Sequence, residues 1–224
     1  MSYKNEFIEF MVTSGVLTFG DFITKSGRKT PYFINTGNFR MGSQLARLSD
    51  FYASCIEESL GDGYDALFGP AYKGIPLAAG AASSLYRLFG RDVPYCFNRK
   101  EAKDHGEGGG MVGYKPANGD RIVIVEDVVT AGTAVRDTIA LFRSVADVRF
   151  RALIVSVDRM ERGTGEKSAM RELSDESGIE VFPLVNIDEV VDFLYMREIG
   201  GKILIDDGVR EKILEYRRMY GAND

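Results

Sequence analysis

Residues 121–138, RIVIVEDVVTAGTAVRDT, constrain the fold more than any other stretch of the chain. Ile122 to Val125 form an unbroken β-branched run, the pattern of a buried strand. Two acids, Glu126 and Asp127, follow at once, and then Thr130-Ala131-Gly132-Thr133 at the mouth of a helical pattern. A buried strand that ends in carboxylates and turns into a helix N-terminus suits a phosphorylated sugar. The carboxylates can hold hydroxyls or a hydrated divalent cation, and the free N–H groups, the Thr hydroxyls and the helix dipole can hold a phosphate. Neither GxxxxGK[ST] nor GxGxxG occurs, so a Walker A loop and a dinucleotide fingerprint are both unsupported.

The rest of the chain repeats the alternation. DALFG reads as a short strand, PAYKG as a loop, and Ile75 to Phe89 as a helix rich in small residues. VPYCFN is a strand, and Lys100 to Asn118 a long polar, Gly-rich loop. RIVIV is a strand, Ala131 to Val145 a helix, and Arg151 to Val157 another strand. This order implies an α/β fold with a parallel sheet wrapped by helices. Before it, Phe7, Phe10 and Met11 share a face of a short helix ending near Gly15. Leu17 to Phe33 reads as extended, with Ser26 to Lys29 as a turn. Ser43 is placed to cap a long helix whose apolar stripe is Leu45, Leu48, Tyr52, Cys55 or Ile56, and Leu60. After it, Glu166 to Ser177 looks helical, EVFPLV extended, and Asp188 to Glu198 helical. Asp207 to Tyr220 is a polar helix with Val209, Ile213, Leu214 and Tyr216, read as a docking helix.

Composition narrows the function. The 224 residues are 45% hydrophobic and 27% charged, ordinary for a soluble globular protein. No apolar run nears the roughly 18 residues that span a bilayer, and MSYKNEFIEF lacks the basic start and apolar core of a signal peptide. The expectation is a cytoplasmic protein. Cys55 and Cys96 are too few for a disulfide framework or a zinc site and read as buried free thiols. A net charge of −5 without a basic tail argues against a dedicated nucleic-acid binder. Cations cluster instead at Lys25–Lys29 and Arg99–Lys103, which suggests small anionic ligands.

The loop NRKEAKDHGEGGGMVGYKP, Asn98 to Pro116, carries Arg99, Lys100, Lys103 and His105, followed by several glycines. Cations on a glycine-hinged loop suit a lid over a multiply charged leaving group. GPAYKGIP, Gly69 to Pro76, lies at the same sheet edge as the acids; it is either a pyrophosphate loop or an ordinary strand-to-helix turn. Lys25 and Arg159 taken alone read as surface cations, although Arg159 leaves the carboxyl end of a core strand, and its planar guanidinium suits a carboxylate.

On these residues the chain is similar to a known family. VIVEDVVTAGTA resembles the phosphoribosyl-pyrophosphate (PRPP) motif of type I phosphoribosyltransferases. Together with TKSGRKTPYF, FGPAYKGIP, YCFNRKEAKDHGEGG and VDRMERG, it resembles the bacterial orotate phosphoribosyltransferases, from about Phe7 to Glu166. The resemblance implies one phosphoribosyltransferase domain, 1–224. About 1–60 would form an accessory hood and helix region and about 64–160 the PRPP-binding core, and the rest would complete the sheet and C-terminal helices. It implies a flexible catalytic loop, Mg²⁺ held mainly by PRPP and water rather than by protein ligands, and a homodimer with shared sites. The implied reaction, in pyrimidine (UMP) synthesis, is orotate plus PRPP giving orotidine 5′-monophosphate and pyrophosphate.

The family's roles carry over where residues match. Glu126 and Asp127 would face the ribose hydroxyls, and Val128 to Ala134 (Val128, Val129, Thr130, Ala131, Gly132, Thr133, Ala134) would form the PRPP loop, with Thr130 to Thr133 on the 5′-phosphate. Tyr72 and Lys73 would contact pyrophosphate, in a loop the family often holds with a non-proline cis peptide. Lys25, Arg99, Lys100, Lys103 and His105 would contact PRPP, with Lys103, Asp127 and His105 catalytic. Lys25, Phe33, Ile34, Thr130 and Arg159 would contact orotate. Glu126 stands where relatives often have Asp, and Ile34 where an aromatic is common. The competing readings are a purine phosphoribosyltransferase, opposed by the lid motif and Arg159, and a PRPP-sensing regulator, opposed by the acidic net charge and the lid cations.

Overall fold

The computed structural model describes residues 2–24, 27–100, 110–129 and 132–222. Helix α1 (Tyr3–Thr13) buries Phe7, Ile8 and Met11, and Gly15 just beyond its cap, with a positive φ of 66°, turns the chain. Strands β1 (Leu17–Ile23) and β2 (Lys29–Ile34) form an antiparallel hairpin, followed by a 3-10 turn at Thr36–Asn38. Helix α2 (Gly42–Leu60) starts one residue before the expected cap, Ser43. The orphan N–H groups of Arg40 and Met41 are met by the Gln44 Oε1, at 2.8 and 3.0 Å, so glutamine takes the capping task. Leu45, at the exposed first turn, lies outside the buried stripe.

The core follows as β3 (Ala66–Gly69), α3 (Gly74–Phe89), β4 (Tyr95–Asn98), β5 (Met111–Gly113), β6 (Arg121–Val125), α4 (Thr133–Arg143), β7 (Arg149–Asp158), α5 (Ala169–Ser177) and β8 (Glu180–Asn186). Beyond it lie α6 (Ile187–Leu194), a small hairpin β9 (Glu198–Ile199) with β10 (Lys202–Ile203), and α7 (Asp207–Tyr220). The stretch expected to be helical to Glu198 stops at Leu194, and the hairpin takes over. The six-stranded sheet has the order β5-β4-β3-β6-β7-β8. Five strands are parallel, as expected; β5, inside the stretch read as loop, adds an antiparallel edge.

Period-two alternation explains how one sheet serves two cores. Leu67, Val123, Val125, Ala152 and Ile154 face the layer containing α1, α2, α3, α6 and α7. Ala66, Phe68, Ile122, Ile124, Leu153 and Val155 face α4 and α5. Ser168 caps α5 by accepting from Arg171 N–H at 3.1 Å, so that helix starts later than the sequence pattern suggests. Cys55 and Cys96 are buried free thiols, as expected. No helix among the described residues is long and apolar enough to cross a membrane.

Strand order positions the site. The chain moves from β3 outward to β4, then returns to the other side of β3 as β6. The order of strand addition reverses between the parallel strands β3 and β6, and open α/β sheets bind ligands at the carboxyl ends of such strands. Those ends are Gly69, opening PAYKG, and Val125, preceding the acid pair.

Candidate active site

Glu126 and Asp127 are both buried at the end of β6. Asp127 Oδ2 accepts from Lys73 Nζ at 2.6 Å and from Thr36 Oγ1 at 2.8 Å. Its backbone oxygen accepts from Ser156 Oγ at 2.5 Å and from Ser156 N–H at 3.0 Å, and Tyr52 OH donates to Glu126 O at 2.8 Å. Burial alone would raise the Asp127 carboxyl, but the bonds from Lys73 and Thr36 outweigh it and hold it below its usual value. Among the described residues no cation hydrogen-bonds Glu126, and the Lys73 charge lowers its carboxyl by less than burial raises it. Burial pushes its carboxyl up to about 7, and the neighbouring Asp127 charge adds to the rise. The pair therefore divides into an ionised acid and one that holds its proton close to neutrality.

The PAYKG loop reaches Asp127 because two glycines let it fold tightly. A Cβ on Gly69 would sit 2.1 Å from the Gly74 carbonyl oxygen, and one on Gly74 would sit 2.9 Å from Val125 O. Within the loop the Ala71–Tyr72 peptide is cis. Ala71 N–H donates to Asn98 Oδ1 at 2.8 Å, which ties the loop to the end of β4. Lys100 Nζ lies 5.0 Å from the centre of the exposed Tyr72 ring. A cavity of about 560 Å³ lies here, lined by Pro70, Ala71, Asn98, Arg99, Lys100 and, across it, Thr133 and Ala134 of α4. Gly132 leads into α4 with φ 69°, and the first turn of α4 contains no acid. Two cations facing a helix N-terminus favour an anion between them.

A second cavity, of about 430 Å³, has Ile34, Val128, Val129, Arg28, Arg159 and Glu161 in its wall. Arg159 leans on the Tyr32 ring, 4.7 Å from its centre, and donates from Nε to Glu161 Oε1 at 2.8 Å. Its Nη2 also comes within 2.6 Å of that oxygen but is not aligned to donate to it; Nη2 is buried and has no hydrogen-bond acceptor among the described residues. Unmet donors in a buried guanidinium are costly unless a ligand supplies the acceptor.

The structure thus brings together Tyr72, Lys73, Arg99, Lys100, Glu126, Asp127, Gly132, Thr133 and Ala134 around one edge, with Ile34, Val128, Val129 and Arg159 beside them. Phe33 is not in the cavity wall; strand alternation turns it outward to pack on Phe22, with ring centres 5.6 Å apart. Lys25, Lys103, His105, Thr130 and Ala131 lie outside the described residues. Sequence reading does not single out Thr36, Tyr52, Asn98, Ser156, Arg28 or Glu161. Thr36, Tyr52, Asn98 and Ser156 reach it through contacts between distant segments, whereas Arg28 and Glu161 lie inside TKSGRKTPYF and VDRMERG, where neither is given a role.

A family model described as a phosphoribosyl transferase domain matches residues 37–184. The chain is 54% identical over 220 residues to the orotate phosphoribosyltransferase of Clostridium acetobutylicum, covering 98% of both chains. It is 55% identical over 221 residues to that of Clostridium beijerinckii, covering 99% of both. Among solved structures it is similar to the orotate phosphoribosyltransferase of Francisella tularensis. There the TM-score is 0.84 at 35% identity, over 97% of this chain and 100% of that one.

Proposed function

The chain belongs to the phosphoribosyl transferase domain family and, within it, to the orotate phosphoribosyltransferases, and on that premise we propose that it moves the 5-phosphoribosyl group of PRPP onto orotate. The products are orotidine 5′-monophosphate and pyrophosphate. The observation that supports orotate is Arg159, which lies in the wall of the 430 Å³ cavity beside the acid pair and whose Nη2 has no acceptor among the described residues. An acceptor with a carboxylate supplies what that guanidinium lacks.

In this reading the donor lies across the switch point. Glu126 and Asp127 take the ribose hydroxyls, and the start of α4 takes the 5′-phosphate. Lys73, Arg99 and Lys100 take the pyrophosphate, with Tyr72 beside them. Breaking the bond between C1′ and pyrophosphate leaves positive charge on the ribose and adds negative charge to the leaving group. Fixed cations at the pyrophosphate and a buried carboxylate under the ribose stabilise both changes without reorganising. Orotate is already an anion, so little base catalysis is needed; holding it in line with C1′ and keeping water out matter more. Ile34, Val128 and Val129 supply apolar walls for the ring. Lys25, Lys103, His105, Thr130 and Ala131 join the site by resemblance, with Lys103 and His105 acting on the leaving group and Lys25 and Thr130 also near orotate. Phe33 joins by resemblance too.

The chemistry of the donor set fits Mg²⁺. That ion keeps several waters and binds substrate phosphates, so PRPP and water would hold most of it, with the Asp127 carboxylate in a cavity wall at the same sheet edge. When bound, it neutralises charge on the pyrophosphate. The working unit in this reading is a homodimer, each lid reaching the partner's site. The test is to mix protein, orotate, PRPP and Mg²⁺ and follow orotate's ultraviolet absorbance. Its loss supports the reading; no loss, with hypoxanthine or adenine consumed instead, overturns it.

A further inference from the structure

Glu161 is the point at which the C-terminal helix meets the acceptor cavity. Its Oε1 accepts from Tyr216 OH of α7 at 2.8 Å, from Tyr32 OH of β2 at 3.3 Å and from Arg159 Nε at 2.8 Å. Arg28 Nη1 lies 3.7 Å from its Oε2. The rings of Tyr32 and Tyr216 meet edge-on, with centres 5.9 Å apart, and the Arg159 guanidinium lies over Tyr32.

The backbone is held at the same place. Met160, between Arg159 and Glu161, has φ 51°, a left-handed conformation that a side chain disfavours. Its N–H donates to Asp158 Oδ1 at 2.7 Å, and its oxygen accepts from Ala222 N–H at 2.9 Å. Arg162 N–H donates to Tyr220 O at 2.9 Å. The end of α7 and the residues after it thus fasten both the turn that presents Arg159 and the carboxylate that orients it.

We propose that Tyr216, acting through Glu161, is a positioning residue for Arg159, so that the C-terminal helix sets affinity for the acceptor's carboxylate. The inference rests on the reading that Arg159 takes that carboxylate. A long arginine side chain loses rotamer freedom when it binds, and fixing it beforehand raises affinity. Stacking on Tyr32 and the bond at Nε fix it in the cavity wall. The tyrosine hydroxyls do a second task. Glu161 is a carboxylate in the wall of a cavity meant for an anion, and hydrogen bonds from Tyr216 and Tyr32 spread its charge, so that it competes less for Arg159.

Tyr216→Phe deletes only the hydroxyl and keeps the ring. The expected result is an orotate KM raised about 3- to 10-fold, the effect of one ordinary hydrogen bond, with kcat and the PRPP KM within about twofold. Combining Tyr216→Phe with Glu161→Gln should raise the orotate KM no further than the stronger single change, because both act through one contact. Arg159→Ala, measured alongside, should raise it far more. An unchanged orotate KM in Tyr216→Phe, with a raised one in Arg159→Ala, overturns the positioning role alone. Equal rises in both substrates' KM with a lowered Tm overturn it in favour of simple support of the fold. An unchanged orotate KM in Arg159→Ala overturns the acceptor reading and this inference together.

Discussion

Lys73 Nζ and Asp127 Oδ2 lie 2.6 Å apart, joining the loop after β3 to the end of β6. The lysine side chain is 64% exposed and the aspartate only 12%, so an accessible cation covers a buried acid. On the proposed reading these two groups serve different parts of PRPP, and donor binding exchanges their mutual bond for bonds to pyrophosphate and ribose. Lys73→Ala should then raise the PRPP KM by about 10-fold or more, the loss of one charge-assisted hydrogen bond. The orotate KM should stay within about twofold. Steady-state kinetics in both substrates decide it, and an unchanged PRPP KM removes Lys73 from the pyrophosphate.

Glu126 should make stability fall with rising pH. Its folded carboxyl is raised to about 7 from the usual 4.5. Between those values the folded chain keeps a proton that the unfolded chain has released. The contribution of Glu126 is therefore fullest below about pH 4.5 and declines as pH rises toward 7, by at most about 1.4 kcal/mol per unit. Glu126→Gln keeps the shape of the protonated acid. The variant should match the parent in urea unfolding near pH 4 and exceed it at pH 8. Equal stability of the two proteins at pH 8 would show that Glu126 ionises without penalty.

Gly69→Ala tests the turn that carries Lys73. The new Cβ would meet the Gly74 carbonyl at 2.1 Å and the Ala78 Cβ at 2.9 Å, both parts of a packed element. Relief requires the loop to move away from Asp127. A loss of about 1–3 kcal/mol in denaturant unfolding is expected, together with a raised PRPP KM. Parent-like stability would mean that the loop has slack which this geometry denies.

Much of this site is legible in sequence because its chemistry is local. The run Ile122–Val125 with Glu126 and Asp127 marks a strand end, and Thr133 a helix start, within a dozen residues. The parallel sheet follows from the same alternation. What is not legible depends on contacts across the chain. Thr36 meets Asp127 from 91 positions away and Tyr52 meets Glu126 from 74. Neither position carries a local signal of anything but turn or helix core. Phe33 and Ile34 show the limit from the other side: adjacent in sequence, they point to opposite faces of β2, and only Ile34 joins the cavity wall. The short strand Met111–Gly113 escaped because pairing with β4, rather than its own composition, makes it a strand.

The backbone oxygens of the acid pair permit one further comparison. Tyr52 OH donates to Glu126 O, and Ser156 Oγ to Asp127 O, both inside the core. Deleting Ser156 Oγ leaves Asp127 O with the Ser156 N–H at 3.0 Å. Deleting the Tyr52 hydroxyl takes that donor from a buried carbonyl, and burial keeps this tyrosine neutral and able to donate, since its hydroxyl is pushed well above its usual value. An unmet buried acceptor costs about 1–3 kcal/mol, whereas losing one of two donors costs nearer 0.5–1.5. Tyr52→Phe should therefore destabilise the protein more than Ser156→Ala, by roughly 1 kcal/mol in urea unfolding. Both should lower kcat/KM, because the carboxylates lose a fixed anchor. Equal losses, or a larger one in Ser156→Ala, would show that Glu126 O finds another donor and that Tyr52 serves the site through packing alone.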